Sequence, residues 1–386
     1  MSVQRFYFDH NATTPVAPEV LEKLTSCLSQ VYGNASSIHH FGQAAKQRLE
    51  AARRQLAVLI HANPNEVVFT SGGTEADNMA VLGVARAAAG PARHVITTAI
   101  EHPAVLGPCA QLEREGVAVT RLRVGSDGVV DPDDVRRALR PDTVLVSVMH
   151  ANNELGTIQP VEEIARITGR AGVPFHVDGV QALGKIPVDV ETAGIDFYSV
   201  SGHKIYAPKG VGALYVRAGA RLAPIAFGGQ HERGRRPGTE NVPGIAAFGV
   251  AAEVAGCNLT SEGNRLTVLR DRLENAVAGR ISGVTINGSR WKRTPNTSNM
   301  CFEGIEGEAL VIALDLRGFA VSTGAACSSG AVAPSHVLTA IGLPPERARA
   351  SMRFSLGRSN TADQVDALVD ALEGAVAHLR RISVHA

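Results

Sequence analysis

The sequence lacks several features that would narrow its function at once. The 386-residue chain carries a formal net charge of +1, so its charge gives no indication of binding to nucleic acid or to an acidic membrane surface. No apolar run reaches the roughly 18 residues that a membrane span needs, and the N-terminal segment MSVQRFYFDHN lacks the basic and then apolar pattern of a signal peptide. We therefore expect a cytoplasmic protein without nucleic-acid or membrane partners.

Cysteine is scarce and scattered. The five cysteines are Cys27, Cys109, Cys257, Cys301 and Cys327. Their odd number and wide spacing indicate neither a disulfide framework nor a cysteine metal site, and the His-rich segments lack ligand spacing such as HExxH, so we expect no metal centre. The first four are expected to be small buried hydrophobes. Cys327 differs, because its neighbours in STGAACSSG are too small to pack it into a core.

The order of apolar runs predicts an α/β fold. Between residues 65 and 216, short apolar runs alternate with helix-like stretches, which indicates a mostly parallel central sheet flanked by helices. The length suggests more than one domain. We predict a large domain over residues 15–257 and a smaller α+β domain formed by residues 1–14 and 258–386. Two separate helices are expected over residues 244–256 and 266–278.

Two of the predicted strands end on residues with distinctive chemistry. Lys204 follows an apolar run in the turn SGHK, and Asp178 ends the run FHVD. In parallel sheets, ligands bind outside the carboxyl ends of the strands. A lysine and an aspartate at neighbouring strand ends suit pyridoxal 5'-phosphate (PLP), since the amine can bind its aldehyde and the carboxylate can keep its pyridine nitrogen protonated.

Further polar residues fall at the same predicted edge. The segment SGGTEADN, with Gly73 and Thr74, follows a strand and opens a helix, where backbone N–H groups can bind a phosphate. Other candidates at this edge are Ser201 and His203 for the phosphate, His102 for stacking on a flat ring or moving protons, Gln181 for a ring oxygen, and Asn153 for the ring hydroxyl or a substrate carboxylate. The sequence thus predicts one site for a small phosphorylated cofactor.

These motifs occur together in a known family. They are FDHNATTP, GNASSIHHFG, VVFTSGGTEADN, EHPAV, MHANNELGTIQP, HVDGVQALGK, SVSGHKIYAPKGVGALYV, GGQHERGRRPGTENV, STGAACSSG and SMRFSLGR. Over nearly its whole length the chain resembles the PLP-dependent cysteine desulfurases of the NifS/IscS type, which belong to the class V aminotransferases and have the aspartate aminotransferase fold (PLP fold type I).

The resemblance implies a role for each candidate. Lys204 becomes the lysine that binds the cofactor covalently, and Asp178 the partner of the pyridinium nitrogen. The other implied cofactor contacts are His102 on the ring, Gln181 and Asn153 on ring or substrate oxygens, and Gly73, Thr74, Ser201 and His203 around the phosphate. Thr239 is expected to reach the phosphate of a neighbouring subunit, so a homodimer with shared active sites is implied. Arg353, with Asn153 and Asn34, is expected to bind the substrate carboxylate, since the planar guanidinium binds carboxylates bidentately.

Cys327 matches the cysteine that forms a persulfide in this family. A thiolate on a flexible loop, here residues 321–334, can reach a substrate sulfur and then an acceptor. The implied activity converts L-cysteine to L-alanine, and passes the sulfur to an iron–sulfur scaffold or another acceptor protein.

Other functions stay open at this point. Selenocysteine lyase or cysteine sulfinate desulfinase activity would use the same fold. An aminotransferase has no use for a loop thiol. A non-catalytic assembly scaffold would not need the set of Lys204, Asp178, His102, Arg353 and Cys327.

Overall fold

The computed structural model describes residues 4–90, 93–324 and 334–383. Its strands are β1 (Phe6–Tyr7), β2 (Val67–Thr70), β3 (His94–Thr98), β4 (Ala118–Leu122), β5 (Thr143–Met149), β6 (Phe175–Asp178), β7 (Phe197–Ser201), β8 (Gly212–Val216), β9 (Val284–Ile286), β10 (Thr297–Phe302), β11 (Phe319–Ala320) and β12 (Ser351–Ser355). Its α-helices are α1 (Pro18–Gln30), α2 (His40–Leu59), α3 (Gly73–Ala87), α4 (Pro103–Arg114), α5 (Pro132–Ala138), α6 (Val161–Ala171), α7 (Val190–Ala193), α8 (Val242–Arg280), α9 (Gly307–Asp315), α10 (His336–Ala340), α11 (Pro345–Arg349) and α12 (Ala362–Ser383).

The central sheet has seven strands in the order β2-β8-β7-β6-β5-β3-β4. All neighbours pair in parallel except β8, which runs antiparallel to both β2 and β7. The carboxyl ends of β2, β3, β5, β6 and β7 therefore lie at one edge of the sheet. The mostly parallel α/β architecture predicted from the sequence is confirmed, and this edge is where such folds place ligands.

A second unit of structure carries a smaller sheet. Strands β12, β10 and β9 pair antiparallel in that order, and β1 pairs in parallel with β11. Side chains of the N-terminal strip, of the second half of α8 and of α9 and α12 form a hydrophobic core with this sheet. The N-terminal strip thus packs with the C-terminal part of the chain, while the division into domains at residues 15 and 257 remains a prediction.

Helix α8 corrects one prediction. Residues 244–256 and 266–278 do not form two helices but belong to one helix of 39 residues. In the polar stretch between them, Asn258 Nδ2 donates to Val254 O at 2.8 Å, and Ser261 Oγ to Asn258 O at 3.1 Å. These side chains thus bond back to helix carbonyls and do not form a turn in place of the helix.

The same helix is long and apolar enough to meet the criterion for a membrane span by length and composition, with 56% of its most apolar window buried inside the structure. Its buried residues pack against α1 and α2, as expected for the core helix of a globular fold. Cys257 lies exposed on α8, in contrast to the expectation that the first four cysteines are buried, whereas Cys27, Cys109 and Cys301 are buried.

Candidate active site

A cavity of about 660 Å³ opens at the carboxyl edge of the central sheet. The predicted residues that line it are Gly73, Thr74, His102, Asn153, Asp178, Gln181, Ser201, His203, Lys204 and Arg353. They come from the ends of five strands and from β12 of the smaller sheet. Folding thus brings together, at the junction of the two sheets, ten residues that lie between positions 73 and 353 of the chain.

Lys204 ends a short 3-10 turn that follows β7. Its Nζ donates to the carbonyl oxygens of Asn11 at 2.5 Å and Ala12 at 2.7 Å. Burial and the nearby charge of Arg353 lower the pKa of Lys204 to about 8, against a smaller opposing effect of Asp9 and Asp178. A lysine with such a pKa is partly neutral near physiological pH, which is the state required of a nucleophile or a base.

Asp178 ends β6 and is 5% exposed. Its Oδ1 accepts a hydrogen bond from Val180 N at 2.9 Å. Burial, reinforced by the neighbouring carboxylate of Asp77, raises the pKa of Asp178 to about 7. A buried carboxylate of this kind is stabilised by a cationic partner, which a protonated pyridine nitrogen would provide.

His102 is the N-cap residue of α4, where its Nδ1 accepts a hydrogen bond from Ala104 N at 3.1 Å. Desolvation by the cavity wall lowers the pKa of His102, with Asp178 opposing and Lys204 adding to the shift. The imidazole is therefore neutral at physiological pH, with Nδ1 committed to the helix and the rest of the ring facing the cavity.

The predicted phosphate site lies at the first turn of α3. A Cβ atom on Gly73 would lie 2.7 Å from Val180 Cγ2 and 3.5 Å from Ser201 Cβ, so only glycine lets this backbone lie so close to its neighbours. His203 on the facing turn contacts Thr13 Oγ1 at 3.1 Å. Burial, with the charges of three nearby lysines, lowers the pKa of His203 to about 4.

Arg353 reaches the cavity from β12 and is 4% exposed. Its Nη2 donates to Asp9 Oδ1 at 2.6 Å and its Nη1 to the carbonyl oxygen of Asn153 at 3.0 Å. Within the described ranges, Nε of Arg353 is buried and has no hydrogen-bond partner. Arg353 lines the cavity, and the bonds to Asp9 and Asn153 use only two of the five N–H donors of its guanidinium, so the group can also bind the carboxylate of a small ligand.

The structure adds residues that the sequence did not single out. Asn11, which is 2% exposed, lines the cavity and contacts both Lys204 and Gln181 through its carbonyl oxygen. Glu154 is buried there as well, and its Oε2 accepts a hydrogen bond from Ser335 Oγ at 2.6 Å. Both residues belong to motifs quoted above, FDHNATTP and MHANNELGTIQP. Their place in these motifs is the one feature of the sequence that could have indicated a role in the site.

Two buried carboxylic acids lie at the cavity: Asp77 lines it, and Glu101 does not. Glu101 and Asp77 are each at most 1% exposed, and Glu101 Oε2 and Asp77 Oδ1 have no hydrogen-bond partner within residues 4–90, 93–324 and 334–383. Burial raises the pKa of Glu101 to about 8 and that of Asp77 to about 7. At neutral pH both groups therefore hold a proton for part of the time.

Three predicted residues are not placed in the cavity. Asn34 and Thr239 are exposed and do not line it; the side chain of Asn34 accepts a hydrogen bond from Ser36 N instead. Cys327 falls in residues 325–333, outside the described residues. The residues on either side of this segment, Gly324 and Pro334, both line the cavity. The predicted roles of all three residues remain predictions.

The residues present fit PLP. The cavity combines a lysine of lowered pKa, a buried carboxylate that calls for a cation, and a glycine at a helix N-terminus where a Cβ would clash with Val180. Lys204, Asp178 and the first turn of α3 would hold the aldehyde, the pyridine nitrogen and the phosphate, respectively. PLP is the one common cofactor that needs all three.

Comparison with known proteins agrees with this fit. The model of the class-V aminotransferase family matches residues 6–368. The chain belongs to this family. It is 48% identical over 377 residues to a cysteine desulfurase IscS of Dictyoglomus turgidum, covering 98% of this chain and 96% of the relative.

Solved structures of this class-V aminotransferase family resemble the fold closely. One NifS-like protein superposes with a TM-score of 0.92 at 38% identity, covering 97% of this chain and all of the other. SspA, solved in complex with cysteine, superposes with a TM-score of 0.82 at 37% identity, covering 91% of this chain and 98% of the other.

Proposed function

We propose that this chain is a PLP-dependent cysteine desulfurase, which converts L-cysteine to L-alanine and forms a persulfide on Cys327. The observation that carries the proposal is the composition of one cavity. It is lined by Lys204, Asp178 and Arg353, and also by Gly324 and Pro334, the residues that flank the segment with Cys327. A transaminase needs the first three groups but has no need of a thiol at the cavity.

L-Cysteine is the substrate that these groups fit. Its carboxylate can bind to Arg353, whose guanidinium is held in place by Asp9 and Asn153 and keeps further N–H donors. The name of the relative in Dictyoglomus turgidum and the cysteine bound to SspA support the same choice.

When bound, PLP supplies the electron sink that acidifies the Cα proton of an amino acid. Lys204 takes that proton, since its pKa of about 8 leaves a useful fraction of neutral amine. Asp178 holds the ring nitrogen in its cationic form. His102, with a lowered pKa, can accept a proton from a thiol and return it to a leaving group.

The sulfur step belongs to Cys327. Its thiolate attacks the sulfur of the substrate, the bond between that sulfur and the substrate Cβ breaks, and the carbon side keeps the electron pair until it is protonated as alanine. The product on the protein is a persulfide, which an acceptor protein then takes up. We propose an iron–sulfur scaffold as one such acceptor, a homodimer in which Thr239 reaches the neighbouring site, and a cytoplasmic location.

The test is a visible spectrum of the purified protein before and after addition of L-cysteine, with alanine and sulfide assayed alongside. We expect an absorbance band of lysine-bound PLP that changes with cysteine, and alanine formed together with reducible sulfur. Lys204→Ala should abolish turnover. A protein that stays colourless in the presence of PLP would overturn the proposal and favour a scaffold without catalytic activity.

A matched pair of cysteine variants separates the remaining alternatives. Cys327→Ser should lose activity on L-cysteine, whereas Cys257→Ser, at an exposed site on α8, should keep it. If Cys327→Ser keeps full activity on cysteine and the wild type prefers cysteine sulfinate or selenocysteine, then desulfinase or selenocysteine lyase activity replaces the proposed one.

A further inference from the structure

A second lysine lies beside the active-site cavity and has no role so far. Lys185 is partly buried and lies one helical turn after Gln181. Its Nζ donates to Gln181 Oε1 at 2.5 Å and to Asn11 Oδ1 at 3.0 Å. Both acceptors belong to residues that line the cavity.

The charge environment of Lys185 is unusual. No carboxylate lies within ion-pair distance of its Nζ in the part of the chain that the structure describes. Instead, burial and the cations Lys204 and Arg353 lower its pKa well below the usual range. A lysine placed in this way costs folding free energy, and the structure compensates for it with two hydrogen bonds to neutral amides.

Those two bonds settle the orientation of the Gln181 amide. A lysine amine donates and a backbone carbonyl only accepts, so Oε1 of Gln181 must face Lys185. Its Nε2 must face Asn11 O, to which it donates at 2.9 Å. The amide has a second N–H on Nε2, and Asn11 O takes only one of the two, so the other is available to a ligand in the cavity.

The same contacts connect Gln181 to Lys204. Asn11 O accepts from Gln181 Nε2 and from Lys204 Nζ, while Asn11 Oδ1 accepts from Lys185 Nζ. Asn11 itself is held by Asn296, which donates to Oδ1 at 3.1 Å, and by a bond to Thr297 Oγ1 at 2.8 Å. Lys185 therefore belongs to one hydrogen-bond network with Asn11, Gln181 and Lys204.

We propose that Lys185 is a positioning residue of this active site: it fixes the Gln181 amide and polarises it, so that the remaining N–H of Nε2 is donated to an anionic oxygen of the bound ligand. This inference rests on the proposed function, in which that oxygen is the ring oxygen of PLP. A donor to Oε1 strengthens the opposite N–H, because hydrogen bonds in a chain polarise one another.

The experiment compares holoenzymes that carry Lys185→Met, Lys185→Arg, Gln181→Ala and the double substitution Lys185→Met with Gln181→Ala. The exposed Lys292 gives the control variant Lys292→Met. Two quantities are measured: the position of the absorbance band of lysine-bound PLP, and kcat and KM for L-cysteine.

We expect Lys185→Met to shift the band and to lower kcat by up to about tenfold, the effect of losing one hydrogen bond. Lys185→Arg, which keeps the donors, should restore both. In the Gln181→Ala background, Lys185→Met should have no additional effect, because the amide through which Lys185 acts on the ligand is absent.

Several outcomes would overturn the inference. A Lys185→Met enzyme with the wild-type band and wild-type kcat would do so. Lys185→Met changing the band and kcat by the same amount in the wild type and in Gln181→Ala would also do so. If Lys185→Met does not fold, Lys185→Leu, which also lacks a donor, is judged by the same criteria. The wild type is measured alongside, so failure of the proposed function can be told apart from failure of this inference. A wild type that neither binds PLP nor acts on cysteine contradicts the proposed function. An active wild type whose Lys185 variants have the same band and the same kcat contradicts only this inference.

Discussion

Arg353 and Asp9 form a buried ion pair in which Nη2 lies 2.6 Å from Oδ1. The side chains are 5% and 19% exposed, respectively. Asp9 precedes the network residue Asn11 and pairs its backbone with Ser355 on the edge of β12. The N-terminal strip thus supplies the group that orients the arginine proposed to bind the substrate carboxylate.

This pair predicts the effect of Asp9→Asn. Loss of the carboxylate charge weakens the bond that holds the guanidinium, so KM for L-cysteine should rise about tenfold while kcat changes little, in keeping with the value of a charge-assisted hydrogen bond. Steady-state kinetics measure both. The control is Asp315→Asn, which removes an exposed partner of Arg5 and should change neither. A fall in kcat at constant KM would show that Asp9 does not act through substrate binding.

The raised pKa of Glu101 predicts that the stability of the fold depends on pH. Burial raises its pKa from the usual 4.5 to about 8, so between these values the folded chain holds a proton that the unfolded chain has released. Stability then falls as pH rises through this window. Glu101→Gln cannot ionise and should lack that loss.

Thermal unfolding of cofactor-free wild type and Glu101→Gln, followed from pH 5 to 8 in keeping with that shift, checks the prediction. The variant should become the more stable of the two as pH rises. Glu162→Gln, at an exposed position of α6, serves as control and should follow the wild type. Parallel curves for all three proteins would contradict the account of Glu101.

The close packing around Gly73 predicts that a larger residue at this position lowers the affinity for PLP. A Cβ at this position would lie 2.7 Å from Val180 Cγ2, so Gly73→Ala should push the first turn of α3 away from its place. The Kd for PLP, measured by absorbance or fluorescence titration, should rise about tenfold or more, as expected when an anion loses contact with helix N–H groups. Gly107→Ala meets no atom within 4 Å and should bind PLP normally. An unchanged Kd for PLP in Gly73→Ala would show that the phosphate does not bind at this turn.

The sequence predicts the central sheet well, because apolar runs there have clear ends. The alternation of strands and helices predicted between residues 65 and 216 is present in the structure. Helix α8 was predicted wrongly, since its middle contains Asn258, Ser261 and Gly263, residues that usually interrupt helices. Packing of α8 against α1, α2 and α12 outweighs these preferences.

The site was predictable where a residue follows a strand and unpredictable where it acts through a distant partner. Asp178 and Lys204 end neighbouring strands, which places them at one edge without knowledge of the structure. By contrast, the contact of Lys204 with Asn11 joins residues 193 positions apart, and that of Arg353 with Asp9 spans 344. Neither follows from spacing or composition, because both depend on how the N-terminal strip lies between the two sheets.

The most direct test of the central claim is the mass of the peptide that contains Cys327 after a single turnover. The holoenzyme is mixed with L-cysteine in the absence of any reductant or acceptor, alkylated and digested, and alanine is quantified in the same sample. We expect the Cys327 peptide to gain the mass of one sulfur atom in proportion to the alanine released, with no gain on the peptide of Cys257. Alanine formed without added sulfur on Cys327, or at an undiminished rate by Cys327→Ser, would contradict the account.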